Sequence, residues 1–174
     1  SFLDIVAAQN KEQLNDLPDE LKDEYGRASA ETVEANLREV IRKDSPFNPA
    51  YYGKLSIILQ ELIDKRKKEM LDYEEYMKEL IELVKKARGK SANSYPESIK
   101  TPGMRALYDN LGQNEYLAIR AHEVIRENAI VGFRDNRLKQ RKLIKALAKL
   151  LGDEMAQKIY DIIKLHDEYG KGYC

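Results

Sequence analysis

The chain has 174 residues, and its 30 lysines and arginines balance its 30 aspartates and glutamates, so the formal net charge is zero. A chain of this length buries about 70% of its unfolded surface and needs no metal or disulfide to form a core. The balanced charge excludes a general attraction to nucleic acid or to anionic membranes, so any electrostatic site must be local.

Cysteine use and hydropathy predict the compartment. The only cysteine, Cys174, is the last residue, and no apolar run reaches the roughly 20 residues of a membrane span. No signal peptide opens the chain. We therefore expect a cytoplasmic protein without membrane contact. The chain begins with Ser1 rather than methionine, which suggests a piece of a longer protein.

Helical spacing of apolar residues describes the first half of the chain. Short helical pieces are predicted on both sides of Pro18, and Ser29 is predicted to be the N-cap of a helix that ends by Pro46. Asn48 and Pro49 predict the start of a long amphipathic helix. The apolar residues of these two helices are Val33, Leu37, Val40, Ile41, Tyr52, Leu55, Leu59, Leu62 and Ile63.

Two further sequence patterns predict the end of this helix and the start of the next. Asp72 and Glu75 have the spacing of a capping box, which predicts a helix through about Arg88, antiparallel to its predecessor. The tail at residues 64–68, in which four basic residues follow Asp64, suits the negative end of the preceding helix, with an anion site as the alternative. Residues 89–94 are predicted to be a polar linker.

The stretch Tyr95–Gly112 stands between the two halves. Thr101 is predicted to cap a short helix with Pro102 at its first position, and Gly112 to end it. Three more helices are predicted, and a turn at residues 132–136 precedes the second of them. The predicted ranges of these helices are 114–130, 139–151 and from Asp153 onward.

These patterns predict an all-α fold, an irregular bundle of about six to eight helices. Its two helical halves are joined by a proline-rich linker. We interpret residues 1–174 as a single helical domain of a longer chain. Its subregions are residues 1–90, the linker and short helix at 91–113, and residues 114–174.

Catalytic and metal motifs are not found in the sequence. Gly89-Lys90-Ser91 lacks the glycine that a phosphate-binding loop needs five residues before Gly89, where Val84 stands. Asp19 and Glu20 are adjacent, whereas a magnesium site needs carboxylates that converge from separated positions. The two histidines follow isoleucines by three residues, so the glutamate and histidine pairs of di-iron bundles are missing. We predict no catalytic residue, no metal site and no cofactor in this chain.

A basic segment is the best candidate for a binding surface. Its residues lie between Arg134 and Lys149 with one acid, Asp135, among them. Arg137, Arg141 and Lys145 recur every four residues and would form one stripe on a helix. A solvated helix face, phosphate contacts and docking of a protein all remain open. The basic candidates are Arg134, Arg137, Lys139, Arg141, Lys142, Lys145 and Lys149.

Several segments occur in a characteristic order over residues 17–169. They are 17–20 (Leu-Pro-Asp-Glu), 52–66, 73–76 (Tyr-Glu-Glu-Tyr), 95–102, 105–112 (Arg-Ala-Leu-Tyr-Asp-Asn-Leu-Gly) and 132–139. In that order they resemble the C-terminal region of the restriction (R) subunit of type I restriction-modification enzymes. The residues that mark the resemblance best are Tyr95, Pro96, Thr101, Pro102, Arg105, Tyr108 and Asn110. Phe133 and Asp135 depart from the tryptophan and glycine of that family's pattern.

The resemblance implies a function for the parent protein and for this part of it. The parent would be a site-specific deoxyribonuclease that uses ATP and Mg²⁺ to translocate DNA. The fragment would be noncatalytic and would dock the motor subunit onto the methyltransferase core of modification and specificity subunits. The alternatives are a module that contacts DNA and guides it to the motor, or a scaffold for the motor lobes of its own chain.

Overall fold

The computed structural model describes residues 19–88 and 94–172, with the side chains of the first helix described from Ala30 onward. The described residues form seven α-helices and no strand, which confirms the predicted all-α fold. Within the same ranges, none of the helices combines the length and apolar character that crossing a membrane requires. The helices are α1 Asp19–Asp44, α2 Pro49–Lys67, α3 Tyr73–Ala87, α4 Pro102–Asn110, α5 Glu115–Asn128, α6 Arg137–Leu151 and α7 Asp153–Ile163.

The chain divides into two compact units. The first comprises Ser1–Asp44 and Tyr52–Asn93, and the second comprises Ser45–Tyr51 and Ser94–Cys174. Helix α4, which the central stretch forms, belongs to the second unit. The helical piece predicted before Pro18 lies outside the described residues, and so does the predicted linker apart from Ser94.

In the first unit, α3 packs closely on α1 and runs antiparallel to α2. The Tyr52 hydroxyl, near the start of α2, donates a hydrogen bond to the Ala87 carbonyl at the end of α3 (3.1 Å). At the other end of the pair, the Arg66 guanidinium lies over the Tyr73 ring, 5.7 Å from its centroid. The core of this unit includes Val33, Leu37, Leu55, Leu59, Leu62, Ile63, Leu80 and Val84.

The structure corrects one boundary and adds one core residue in this unit. Ser29 was predicted to be an N-cap, but α1 runs through it without interruption from Asp19. No proline follows Pro18 until Pro46, so nothing in between forces the helix to end. Tyr76, which was not assigned to the buried face, is fully buried, and its hydroxyl donates to the Glu34 carboxylate.

The predicted caps of α2 and α3 are confirmed. Asp72 and Glu75 form the capping box of α3. The Asn48 side chain accepts a hydrogen bond from the Tyr51 amide at 3.3 Å, with Pro49 as the first residue of α2. These caps follow from residues within one turn, because they satisfy backbone amides that a helix start leaves without partners.

The second unit is built on the pair α6 and α7. Helix α5 packs on α4 and α6, and α4 also contacts α7. The 3-10 helix Ser45–Phe47 lies against α7, and a second one, Phe133–Asp135, lies against α6. The largest fully buried apolar side chains here are Leu107, Ile125, Phe133, Leu143, Leu147, Ile159, Ile163 and Tyr169.

Candidate functional site

Helix α6 carries most of the predicted basic residues, and its orientation decides which of them reach solvent. The Asn136 side chain caps the helix by accepting hydrogen bonds from the amides of Leu138 (3.0 Å) and Lys139 (3.1 Å). Leu143 and Leu147 are fully buried and point one side of the helix into the core. The opposite side therefore faces solvent.

Arg134 is separated from the other basic candidates by its contacts. Its guanidinium donates to the backbone carbonyls of Lys164 (2.6 Å), His166 (2.8 Å) and Tyr169 (3.0 Å). These carbonyls follow the end of α7, where a helix leaves acceptors without partners and where a cation is favourable. The guanidinium also lies 4.5 Å from the centroid of the Phe133 ring. Arg134 therefore holds the segment after α7 in place, with three of its five N–H donors bonded to backbone carbonyls.

Lys139 is also held by the fold. Its Nζ atom donates to the Val131 carbonyl at 2.7 Å, which fixes the loop before Gly132 against the first turn of α6. Gly132 has a φ of 75°, a conformation that glycine adopts without strain. This bond and the contacts of Arg134 therefore give the turn at residues 132–136 a role in stabilising the fold.

The remaining five basic candidates are exposed and form what we call the basic face. They are Arg137, Arg141, Lys142, Lys145 and Lys149. Between Arg137 and Lys142 the face covers an arc of roughly 140°, and from Arg137 to Lys149 it extends over about 18 Å of the helix. Helix α6 has six basic residues and no acid among its 15 residues. The face is therefore a local positive surface on a chain without net charge.

The basic face differs from several basic residues on other helices. Throughout residues 30–88 and 94–172, no acidic side chain lies within ion-pair distance of any of its five cations. Several exposed cations of other helices pair with acids three or four positions away. Such pairs are Arg42 with Glu39 in α1, Lys78 with Glu74 in α3, and Arg120 with Glu123 in α5.

The position of Arg137 is unfavourable for α6 itself. The amino end of a helix carries a partial positive charge, so acids near it stabilise the helix and bases destabilise it. Arg137 is the first residue of α6, and the first turn has no acid, whereas Lys149 lies in the last turn, where a base is favourable. Helix stability therefore does not explain the positive charge at Arg137.

Large apolar side chains are exposed beside the basic face. Leu138, in the first turn of α6, is 76% exposed and lies within the arc of the basic face. Val131, whose carbonyl is bonded to Lys139, is 60% exposed, and its neighbour Ile130 is 45% exposed. We call these three residues the apolar edge. Because scattered apolar residues are normal on surfaces, the informative feature is their concentration beside the unpaired cations.

The central stretch has the opposite character, since its polar groups bond to one another. Asn110 is buried and donates to the Asn48 side chain and to the Ala106 carbonyl, both at 2.8 Å. Asn48 donates in turn to the Asp109 carboxylate at 2.8 Å. The Tyr95 hydroxyl donates to the same carboxylate. Burial, together with this hydrogen bond, raises the pKa of Tyr95 and keeps its hydroxyl protonated.

The other residues of the stretch also have structural positions. Thr101 accepts a hydrogen bond from the Met104 amide at 3.1 Å and caps α4, which begins at Pro102, as predicted. The Tyr108 ring meets Tyr95 edge to face. Pro96 is half-buried and precedes a turn in which its carbonyl accepts from the Ile99 amide at 2.9 Å.

Arg105 is the exception within this stretch. Its guanidinium lies 5.3 Å from the centroid of the Tyr95 ring. Its Nε atom is buried and, among the described residues, has no hydrogen-bond partner. The rest of the side chain is partly exposed, so this one atom does not form a binding site.

A histidine and tyrosine pair joins α5 to the segment after α7. The Tyr169 hydroxyl and the His122 Nδ1 atom are 2.7 Å apart. Burial raises the pKa of Tyr169, so the hydroxyl stays protonated and shares a hydrogen bond with a neutral imidazole. Burial lowers the pKa of His122, which favours that neutral form. Next to Tyr169, the Glu168 carboxylate accepts from the Gly103 amide in the first turn of α4.

Neither a metal site nor a known relative indicates a function for this chain. Among the side chains of residues 30–88 and 94–172, no three histidines, cysteines or acids are grouped so as to hold a metal ion. No family model, no curated protein and no solved structure matches the chain. The candidate site therefore rests on the geometry of the basic face and the apolar edge.

Proposed function

We propose that this chain is a noncatalytic helical domain of the R subunit of a type I restriction enzyme, and that it docks this subunit onto the methyltransferase core. The ordered segments of the central stretch and of the turn before α6 support the family. The observation that carries the docking role is the basic face, since its five exposed cations form no ion pair with any described residue and are available to a partner.

The parent enzyme would act in the cytoplasm and would need ATP and Mg²⁺ for translocation and cleavage. Its nuclease and motor lobes would lie elsewhere in the same chain. The modification and specificity subunits would form the partner surface. Electrostatic complementarity mainly increases the rate and specificity of such an association.

Co-elution and titration with the cognate methyltransferase core test this proposal. At about 50 mM salt, the 174-residue chain should form a complex. The double variant Arg137→Glu, Arg141→Glu should weaken it by roughly 10- to 100-fold, because each reversal replaces attraction with repulsion. Lys158→Glu is the matched control, since Lys158 is an exposed lysine of α7 outside the basic face.

Circular dichroism establishes that each variant is folded. A folded wild-type chain that forms no complex at low salt would refute the docking proposal. Equal binding by the double variant and by the Lys158→Glu control would instead remove the basic face from the interface and leave the domain assignment in place.

Duplex DNA is the second candidate partner, and the same basic face favours it. Contacts with phosphates release counterions, so the binding constant should fall steeply between about 50 and 200 mM salt. Titration of a labelled duplex over that range distinguishes the two partners. Duplex binding tighter than binding to the methyltransferase core would make a DNA-guiding module the better description.

A further inference from the structure

We infer that the basic face and the apolar edge together receive an acidic protein segment that inserts an apolar side chain between its carboxylates. This inference rests on the proposed docking function and specifies the chemistry of the partner segment. It concerns the outer side of α6 and the loop that Lys139 holds against it.

Charged and apolar side chains are mixed on the outer side of α6. Leu138 lies inside the arc of the basic face, with Arg141 and Lys142 one turn further along α6. A partner therefore meets cations and an apolar side chain within the same contact. Carboxylates satisfy the cations, while only an apolar group benefits from covering Leu138.

The loop before Gly132 presents the exposed side chain of Val131 at the amino end of α6. The bond from the Lys139 Nζ atom to the Val131 carbonyl fixes this loop at the amino end of α6. Val131 remains 60% exposed in that position. The apolar edge is therefore held by the fold before any partner binds, which reduces the ordering that binding would require.

Nucleic acid is the competing partner for the basic face, and it fits the apolar edge less well. A phosphate backbone offers charge to the basic face but no apolar side chain to cover Leu138 or Val131. Elsewhere in the second unit, three N–H donors of Arg134 are bonded to backbone carbonyls, so this arginine is held by the fold and does not extend the basic face. The combination of surfaces therefore favours an acidic segment of a protein over nucleic acid.

Truncation of the apolar edge tests this inference separately from charge. Leu138→Ala leaves all five cations in place, and it should weaken binding of the 174-residue chain to the methyltransferase core by roughly tenfold. The loss should persist at about 200 mM salt, where the electrostatic contribution is smaller. Ile57→Ala is the matched control, because Ile57 is 61% exposed on α2 of the first unit.

Each result separates the inference from the proposed function. A wild-type chain that does not bind the core overturns both. Normal binding by Leu138→Ala, with loss of binding by Arg137→Glu, Arg141→Glu, keeps the docking function and overturns the apolar insertion. Binding to a labelled duplex that exceeds binding to the core and is insensitive to Leu138→Ala assigns the basic face to phosphates and overturns the inference.

Discussion

The central stretch and the outer side of α6 are both rich in polar side chains, but they use them differently. In the central stretch, Asn110, Asn48, Asp109 and Tyr95 are linked to one another by hydrogen bonds. On α6, the cations of the basic face reach solvent without an acid beside them. Side chains of the first kind stabilise the fold, and side chains of the second kind are available to a partner.

The same difference separates neighbouring residues around the start of α6. Arg134 and Arg137 are three positions apart, yet the first binds three carbonyls and the second is exposed. The residue type is the same for both. Their roles differ because the segment after α7 places three carbonyls beside the Arg134 guanidinium, whereas Arg137 faces solvent.

The largest effect should come from a charge placed in the core behind the central stretch. Leu107→Asp should unfold the second unit, because Leu107 is fully buried and an unpaired buried carboxylate costs several kcal/mol. Leu138→Asp is the matched control, since the same change on a side chain that is 76% exposed should leave the fold intact. Thermal unfolding followed by circular dichroism compares them, and an unchanged melting temperature for Leu107→Asp would refute its role in the core.

The next largest effect should come from Arg134. Arg134→Lys keeps the charge but cannot reach the carbonyls of Lys164, His166 and Tyr169 together, so it should destabilise the protein by about 2–4 kcal/mol. Arg137→Lys should change the stability by less than about 0.5 kcal/mol, because that guanidinium is exposed. Chemical denaturation measures both. Similar losses for the two variants would contradict the separation of these arginines.

Which of these features the sequence predicts depends on how far apart the interacting residues are. The caps at Asp72 and Thr101 were predicted because each acts within one turn of helix. The carbonyls that bind Arg134 are 30 to 35 residues further along the chain, so no local pattern indicates them. For this reason the sequence grouped Arg134 with the solvent-facing cations.

The sequence indicates the exposure of Leu138 but not that of the rest of the apolar edge. Leu138 lies about 140° around the helix from Leu143, so it could not share the buried side of α6. That angle indicates exposure but does not identify the loop beside it. The position of Val131 follows from its bond to Lys139, which depends on the turn at Gly132.

A smaller, pH-dependent effect should come from His122. Its pKa is lowered in the folded protein, so the folded state binds fewer protons than the unfolded state below the ordinary histidine value of about 6.5. Stability should therefore fall as the pH decreases from 7 toward 5. His122→Asn keeps an acceptor for the Tyr169 hydroxyl but does not titrate.

Comparison of the two proteins isolates this histidine, since Glu123, Arg126 and Glu168 surround position 122 in both. The melting temperature of the wild type should decrease more between pH 7 and 5 than that of His122→Asn. Parallel pH profiles would show that protonation of His122 is not linked to folding.

The smallest effect should be a gain in stability instead of a loss. It concerns Arg137, where one substitution should stabilise the folded protein and weaken binding of the partner. Arg137→Glu places an acid in the first turn of α6, where it interacts favourably with the amino end of the helix. It should stabilise the folded protein by about 0.3–1 kcal/mol at low salt, while it weakens binding to the methyltransferase core. Arg137→Gln should give about half of each effect, because it removes the positive charge without adding a negative one. Denaturation and binding measured on the same samples test the pair, and a variant that loses stability and binding together would indicate that Arg137 supports the fold instead of serving the partner.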